Sequence, residues 1–283
     1  DKMKRHLTNG EMVGETPRKH KKESDFTVVA VVSEAERSVE VPLCAVRTLR
    51  VEDKRQFGQV LRKLPALPDC LSHLKRVNDS EVVIGSAVEP CPEGVAEMEG
   101  AEERQRLVPA LKPQTRAQFE WVKQHWPCAF HPNKQLESLL SAEGLYEYLQ
   151  PFLSVLMGRK RCVVIREGVP VVKATAEEPP ALLGHPALRA VQLLAKNASG
   201  RADEYLATGS DVIMTEEPCA MCAMALVHAR ASRVFVARPS SNGVLLNEDR
   251  WQLHLDPSLN HHYHVFRVQF NEDNEEIRLR RCG

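Results

Sequence analysis

The sequence predicts an α/β protein in which a small α/β domain precedes a larger three-layer domain built on a central mixed sheet. Three observations carry this. From Phe26 the chain reads β-β-α-β. From about residue 160 it reads β-β-α-β-α-β, an order that lays two helices on one face of a sheet. Within that second run, Asp211 to Ala237 forms a strand–helix–strand unit with Pro218-Cys219-Ala220-Met221-Cys222 at the mouth of its helix.

Residues 1–24 are polar and read as a disordered basic tail. Phe26 to Val32 is β-branched and reads as a strand, and Val39 to Arg50 as a second. Asp53 to Leu64 has Phe57, Val60, Leu61 and Leu64 on one helical face, and Pro65 and Pro68 end it. Val82-Val83-Ile84 is a further strand, and Pro90 to Arg106, acidic and Pro/Glu-rich, reads as a loop. These segments define a small domain over 25–110. A helical connector over 111–157 follows. Its first helix, Thr115 to His125, puts Phe119, Trp121 and Val122 near its apolar face and ends at Trp126-Pro127; Leu136 to Leu156 is helix-rich.

The larger domain occupies 158–283. Cys162 to Ile165 and Val169 to Ala174 flank a Glu167-Gly168 turn and predict a hairpin. A helix is expected from Pro186 to Lys196, then the strand Asp211 to Thr215, the helix Cys222 to Arg230 and the strand Ser232 to Ala237. Tyr263 to Phe270 alternates like an edge strand. No internal repeat is present.

Bulk properties narrow the class. With 283 residues, 43% hydrophobic and 27% charged, the chain fits a soluble globular protein of about two domains. No apolar run approaches a membrane span, and the polar start predicts no secretory signal. Eight cysteines spread over this length predict reduced intracellular thiols rather than a disulfide scaffold. The 38 basic and 38 acidic residues cancel, so net charge lends no support to nucleic-acid binding. Local basic clusters, such as Arg159-Lys160-Arg161, read first as solvated faces. Arg18 to Lys22 reads either as a nuclear-import patch or as part of the tail, and the expected location is nucleus and cytoplasm.

The Cys-x-x-Cys stretch carries the chemistry. Cysteines three apart lie on one face of a helix, so both sulfurs reach one ion. The partial positive charge of a helix N-terminus favours thiolate. Pro218 is tolerated because first-turn N–H groups lack intrahelical acceptors. A redox dithiol, half of a structural zinc site and a pair of buried thiols are alternatives for a bare Cys-x-x-Cys. The preceding Glu-Pro and the strand–helix–strand setting favour the zinc deaminase signature, in which Pro-Cys-x-x-Cys supplies two of three protein ligands.

The block Thr215 to Arg230 with Arg233-Val234-Phe235 resembles the tRNA adenosine deaminases, within the cytidine deaminase-like superfamily. Leu259 to Arg267, with its Asn260-His261-His262-Tyr263, is similar to the non-catalytic subunit 3 of the eukaryotic heterodimeric enzyme, as are Gln118 to His131 and Leu74 to Val77. The resemblance covers most of the chain from about residue 26. It implies a cytidine deaminase-like second domain and a first domain that helps to hold tRNA. It also implies a partner subunit that converts the wobble adenosine to inosine.

A working deaminase carries His-x-Glu on the upstream helix, the His binding zinc and the Glu shuttling protons. The resemblance places Arg189, Ala190 and Val191 there. Val191 cannot transfer a proton, so this chain is expected to be inactive alone. Arg189 stands where the family has His, and a guanidinium has no lone pair for a metal. His185, one helical turn earlier, is the candidate replacement, and Cys282 near the C-terminus the candidate fourth ligand beside Cys219 and Cys222, with Zn2+ in a structural role. Candidate RNA contacts are Lys54, Arg55, Lys75, Arg76, Arg278, Arg280 and Arg281. The competing readings are a self-sufficient zinc nucleoside or base deaminase, which the missing Glu opposes, and a zinc-stabilised protein interaction module, which neutral charge permits.

Overall fold

The computed structural model describes residues 25–52, 54–88, 101–177, 183–197, 206–249 and 251–271. The expected tail over 1–24, the candidate contacts Arg278, Arg280 and Arg281, and Cys282 lie outside them. In chain order the first elements are β1 (Phe26–Val31), α1 (Glu34–Arg37), β2 (Leu43–Val51), α2 (Phe57–Lys63), β3 (Val77–Asn78), β4 (Glu81–Ser86) and β5 (Ala101–Pro109). Helices α3 (Arg116–Val122), α4 (Lys134–Ser141), α5 (Leu145–Leu149) and α6 (Leu153–Leu156) follow. The remainder comprises β6 (Arg161–Arg166), β7 (Val169–Thr175), α7 (Pro186–Lys196), β8 (Asp211–Glu216), α8 (Ala220–His228), β9 (Arg233–Arg238) and β10 (His264–Phe270).

Six strands form the larger sheet in the order β1-β10-β9-β8-β6-β7. β8, β9 and β10 run parallel, while β6, β7 and β1 pair antiparallel, so the sheet is mixed. Strand alternation sorts its side chains onto two faces. Val164, Val212, Met214, Val234 and Val236 pack with Ala187, Ala190 and Leu194 of α7 and Ala223 and Leu226 of α8. Val163, Ile165, Ile213, Phe235 and Phe266 face the opposite way, against Leu136, Leu145, Leu149 and Leu156 from α4, α5 and α6. The result is three layers with two cores. A sheet covered on both faces needs strands that are apolar throughout, and the buried run Val212-Ile213-Met214 meets that need.

The smaller sheet, β3-β4-β2-β5, also has two covered faces. Leu49, Val51, Val82 and Ile84 pack with Val60 and Leu64 of the α2 segment. Val46, Val83 and Val108 pack with Val122 and Trp126 at the end of α3. Thr115 and Gln118 close a capping box at the start of α3. The buried Gln118 also donates its Nε2 protons to the Ala35 and Ser38 carbonyls, 2.9 Å each, which ties this unit to the chain leaving β1.

Four elements differ from the sequence expectation. β1 does not open the small domain expected over 25–110; it pairs with β10 from Phe26–Phe270 to Val31–Val265. Its neighbours on both faces explain this, since Phe26 and Ala30 join one core of the large sheet and Val31 the other. β10 is therefore an inner strand rather than an edge. The segment expected as a connector over 111–157 divides between the units, with α3 on the small sheet and α4 to α6 as a full layer of the large one. Ala101–Pro109, most of which falls in the acidic, Pro/Glu-rich stretch Pro90 to Arg106 expected as a loop, pairs with β2 along its length. Its charges are satisfied on the sheet: Arg106 forks onto Glu81 Oε2 (2.8 Å) and Oε1 (2.5 Å), and Arg47 meets Glu103 at 2.8 Å.

The Asn260-His261-His262-Tyr263 stretch is a structural junction at the entrance to β10. His261 Nε2–H donates to Ala231 O (2.7 Å), His262 Nδ1–H to His254 O (3.1 Å) and the Tyr263 hydroxyl to Ala223 O in α8 (3.3 Å). Nearby, the buried His254 donates Nε2–H to Val31 O at 2.9 Å. Its Nδ1 is enclosed and has no partner among the described residues.

Burial chiefly, opposed by the hydrogen bond to Val31, pushes the His254 imidazole down to about 4. The unfolded chain protonates nearer 6.5. On acidification the unfolded state takes up its proton first. The His254 contribution, about 3 kcal/mol at most, is thus complete above pH 6.5, declines as the pH falls towards 4 and is flat below. Urea unfolding of wild type and His254→Gln between pH 7 and 4 is expected to show a shallower decline in the variant.

Candidate metal centre

β8 delivers the chain to the site. After Glu216, Glu217 and Pro218 lead to Cys219, which is the N-cap of α8 with extended backbone (φ −69°, ψ 168°). Cys222 is one turn further in; it is 2% exposed, and Cys219 is half-buried. α7 begins beside it: His185 is its N-cap, also extended, and Pro186 is its first residue. Both helix N-termini therefore open onto the same point. His185 Nδ1 lies 3.3 Å from Cys222 Sγ and 3.5 Å from Cys219 Sγ. All three ligand atoms fall within 4.8 Å of one another.

One imidazole nitrogen and two sulfurs so placed are a donor set that suits a tetrahedral ion. Without a cation the buried thiol of Cys222 is pushed up to about 12, by desolvation first and then by its neighbour Cys219. A divalent cation held by these residues would reverse that balance and favour thiolate. The centre opens into a cleft of about 290 Å³, whose rim carries Lys160, Arg161, Glu177 and Glu216.

The remaining candidates are distributed as follows. Val191 on α7 is half-buried and packs against the core that contains Cys222. The helix sequence, Pro186 to Lys196, has no acidic residue. Arg189 donates from Nη1 to Thr175 O on β7, 2.8 Å away. Lys75 is exposed, while Arg76 is half-buried and donates to Val83 O (2.9 Å) and Pro65 O (2.7 Å); desolvation lowers its guanidinium. Arg55 is exposed, and nothing is described of the Lys54 side chain.

Sequence reasoning missed two contributors. Glu217 is only 5% exposed, and its carboxylate accepts from three backbone amides of the 240–246 loop. Gly243 pairs with Cys219 in an antiparallel bridge. The Glu before Pro-Cys was visible as part of the motif, but nothing local shows that its partners lie more than twenty residues on.

Two helix N-termini presenting His185 and a Cys-x-x-Cys over a mixed sheet make a deaminase-like arrangement. The chain belongs to the family of the inactive tRNA-specific adenosine deaminase-like protein 3. The proteins "Probable inactive tRNA-specific adenosine deaminase-like protein 3" of Mus musculus and Homo sapiens are 31% and 32% identical to it, over 86% and 87% of this chain and 89% and 90% of theirs. The "tRNA-specific adenosine deaminase subunit TAD3" of Saccharomyces cerevisiae is 27% identical over 70% of this chain and 74% of its own. No family model matches. Among solved structures, one from "Biochemical and Structural Studies of A-to-I Editing by tRNA:A34 Deaminases at the Wobble Position of Transfer RNA" is 21% identical, covers 38% of this chain and 75% of its own, and has a TM-score of 0.33.

If the three donors hold a metal, His185→Ala is expected to weaken retention of one divalent ion by at least tenfold, and Arg189→Ala to leave it within about twofold. Elemental analysis of both variants after dialysis against a graded chelator checks this.

Proposed function

We propose that this chain is the non-catalytic, tRNA-binding subunit of a heterodimeric tRNA adenosine deaminase, with a structural Zn2+ in its silenced site. The observation that carries the reading is Val191: the thiol pair, the cleft and the helix pair are retained, yet the residue that must move protons is a hydrocarbon. His185, Cys219 and Cys222 supply three ligands, and Cys282 is the proposed fourth. Zn2+ there would supply cross-linking of α7 and α8 rather than chemistry, because no side chain of α7 can accept a proton from a bound water.

The partner subunit then carries the active site for wobble adenosine. The face of α8 suits a docking role, since Met221 is 43% exposed and Met224 and Ala225 are half-buried beside it. The small sheet with its α3 side would contribute to holding tRNA. Lys75 is the better contact there, because it is free at the surface while Arg76 is spent on two carbonyls. The proposed location is nucleus and cytoplasm.

The test is an inosine assay on a tRNA with adenosine at the wobble position. The isolated chain is expected to give no product and the chain co-expressed with a catalytic subunit to give full conversion; turnover by the isolated chain overturns the reading. In the complex, Lys75→Ala is expected to reduce the slope of log affinity against log salt by about one. Arg76→Ala is expected to lower the melting temperature instead.

A further inference from the structure

We propose that Glu217 is a positioning residue for the metal centre: its buried carboxylate pins the 240–246 loop to the N-terminal turn of α8 and thereby fixes the thiol of Cys219. This rests on the reading that the site holds zinc. Leu245 N–H (2.6 Å) and Leu246 N–H (2.7 Å) both donate to Oε1, and Ser240 N–H donates to Oε2 at 3.2 Å. A carboxylate is acceptor-only, so a pocket made of three N–H groups suits it and no neutral side chain of the same shape. The Glu217 backbone is held too, by its N–H to Arg238 O at 2.8 Å on β9.

The loop that closes on Glu217 is itself anchored. Leu245 is fully buried in the core beneath α7 and α8, and Leu253 N–H donates to Val244 O at 2.9 Å. Gly243 then lies against the carboxylate so closely that a Cβ there would sit 2.0 Å from Glu217 Cδ and Oε2. Space, not backbone conformation, demands glycine at this point. The same Gly243 pairs with Cys219, so the carboxylate, the loop and one sulfur ligand form one interlocked unit. Pro218 is the sole residue between the clamp and the ligand. Supporting groups of this kind orient metal ligands, and their loss typically weakens binding by about 10–100-fold.

The experiment uses the full chain and Zn2+ alone, titrated against a chromogenic chelator, with Co2+ substitution as the spectroscopic readout. Glu217→Gln keeps an acceptor for Leu245 and Leu246 but turns an NH2 towards Ser240 N–H. It is expected to bind Zn2+ about 10–100-fold more weakly and to shift the Co2+ d–d bands, with unchanged far-UV circular dichroism. Wild-type affinity and an unchanged Co2+ spectrum in this variant overturn the inference alone; a wild-type chain that takes up no Zn2+ overturns it together with the metal reading. If Glu217→Gln does not fold, hydrogen exchange of the wild type decides. The Leu245 and Leu246 amides are expected to lose protection when Zn2+ is chelated while that of Phe266 is unchanged, and equal protection with and without Zn2+ overturns the proposal.

Discussion

The ion pair between Asp211 and Arg233 sets the register on which the site depends. The two residues are direct partners in the parallel pairing of β8 with β9. Arg233 donates from Nε to Oδ1 at 2.8 Å and from Nη2 to Oδ2 at 2.6 Å, a forked geometry that a point charge cannot reproduce. The Tyr148 hydroxyl, from the α5 layer, donates to the same carboxylate. Burial and that carboxylate raise the phenol well above its ordinary value, so it stays a donor. A one-residue slip between the strands would exchange the α7/α8 face for the α4–α6 face, and this pair penalises it at the first residue of both strands. Removing one partner would leave the other charge half-desolvated, which is why such pairs cost more to break than to lack.

With that register set, a parallel crossover from β8 to β9 has to place α8 on one face, and the chain leaves the C-terminal end of β8 at Glu217. Sites in open α/β sheets form at that end of the strands. Here the turn is compressed to three residues, and each has a distinct constraint. Glu217 is consumed by the 240–246 loop, Pro218 lies just outside the helix with its φ fixed by the ring, and Cys219 caps α8. What survives in this chain is thus the scaffold of a reaction centre. Val191 packs half-buried against the core, and the Arg189 guanidinium donates to the Thr175 carbonyl.

Much of this was legible in the residues. The apolar runs of β6, β8 and β9, the Glu167-Gly168 hairpin and the helix opening at Pro186 follow from local pattern, as does the thiol pair. Five features were not. The sequence around Phe26 states that a strand forms but not which sheet takes it, because strand pairing is non-local and β1 meets β10 more than 230 residues away. Residues 101–106 read as the end of an acidic, Pro/Glu-rich loop, whereas they pair with β2 at the edge of the smaller sheet. Glu217 gave no local sign of its amide cradle, and Gly243 gave no sign of the contact that excludes a side chain. The division of 111–157 between two units was equally hidden, since an amphipathic helix states that it covers something, not what.

Helix geometry suits His185, rather than residue 189, to be the imidazole of the proposed metal site. Residues four apart share a face, so the ring one turn earlier stays over the same side of α7 and is displaced towards its start. That displacement is tolerable only if the opposing sulfurs also lie at a helix start, and they do, since Cys219 and His185 are both N-caps. An N-cap residue has extended backbone, which frees its side chain from the rotamer limits of the helix interior and lets it turn across the gap. The cost is a ligand held by fewer helical constraints, with Pro186 as its principal restraint. On the sulfur side the corresponding freedom of Cys219 is removed by the Glu217–Gly243 interlock. In the proposed metal site a loosely tethered imidazole needs a rigid thiol, and the buried carboxylate is the group positioned to make it so.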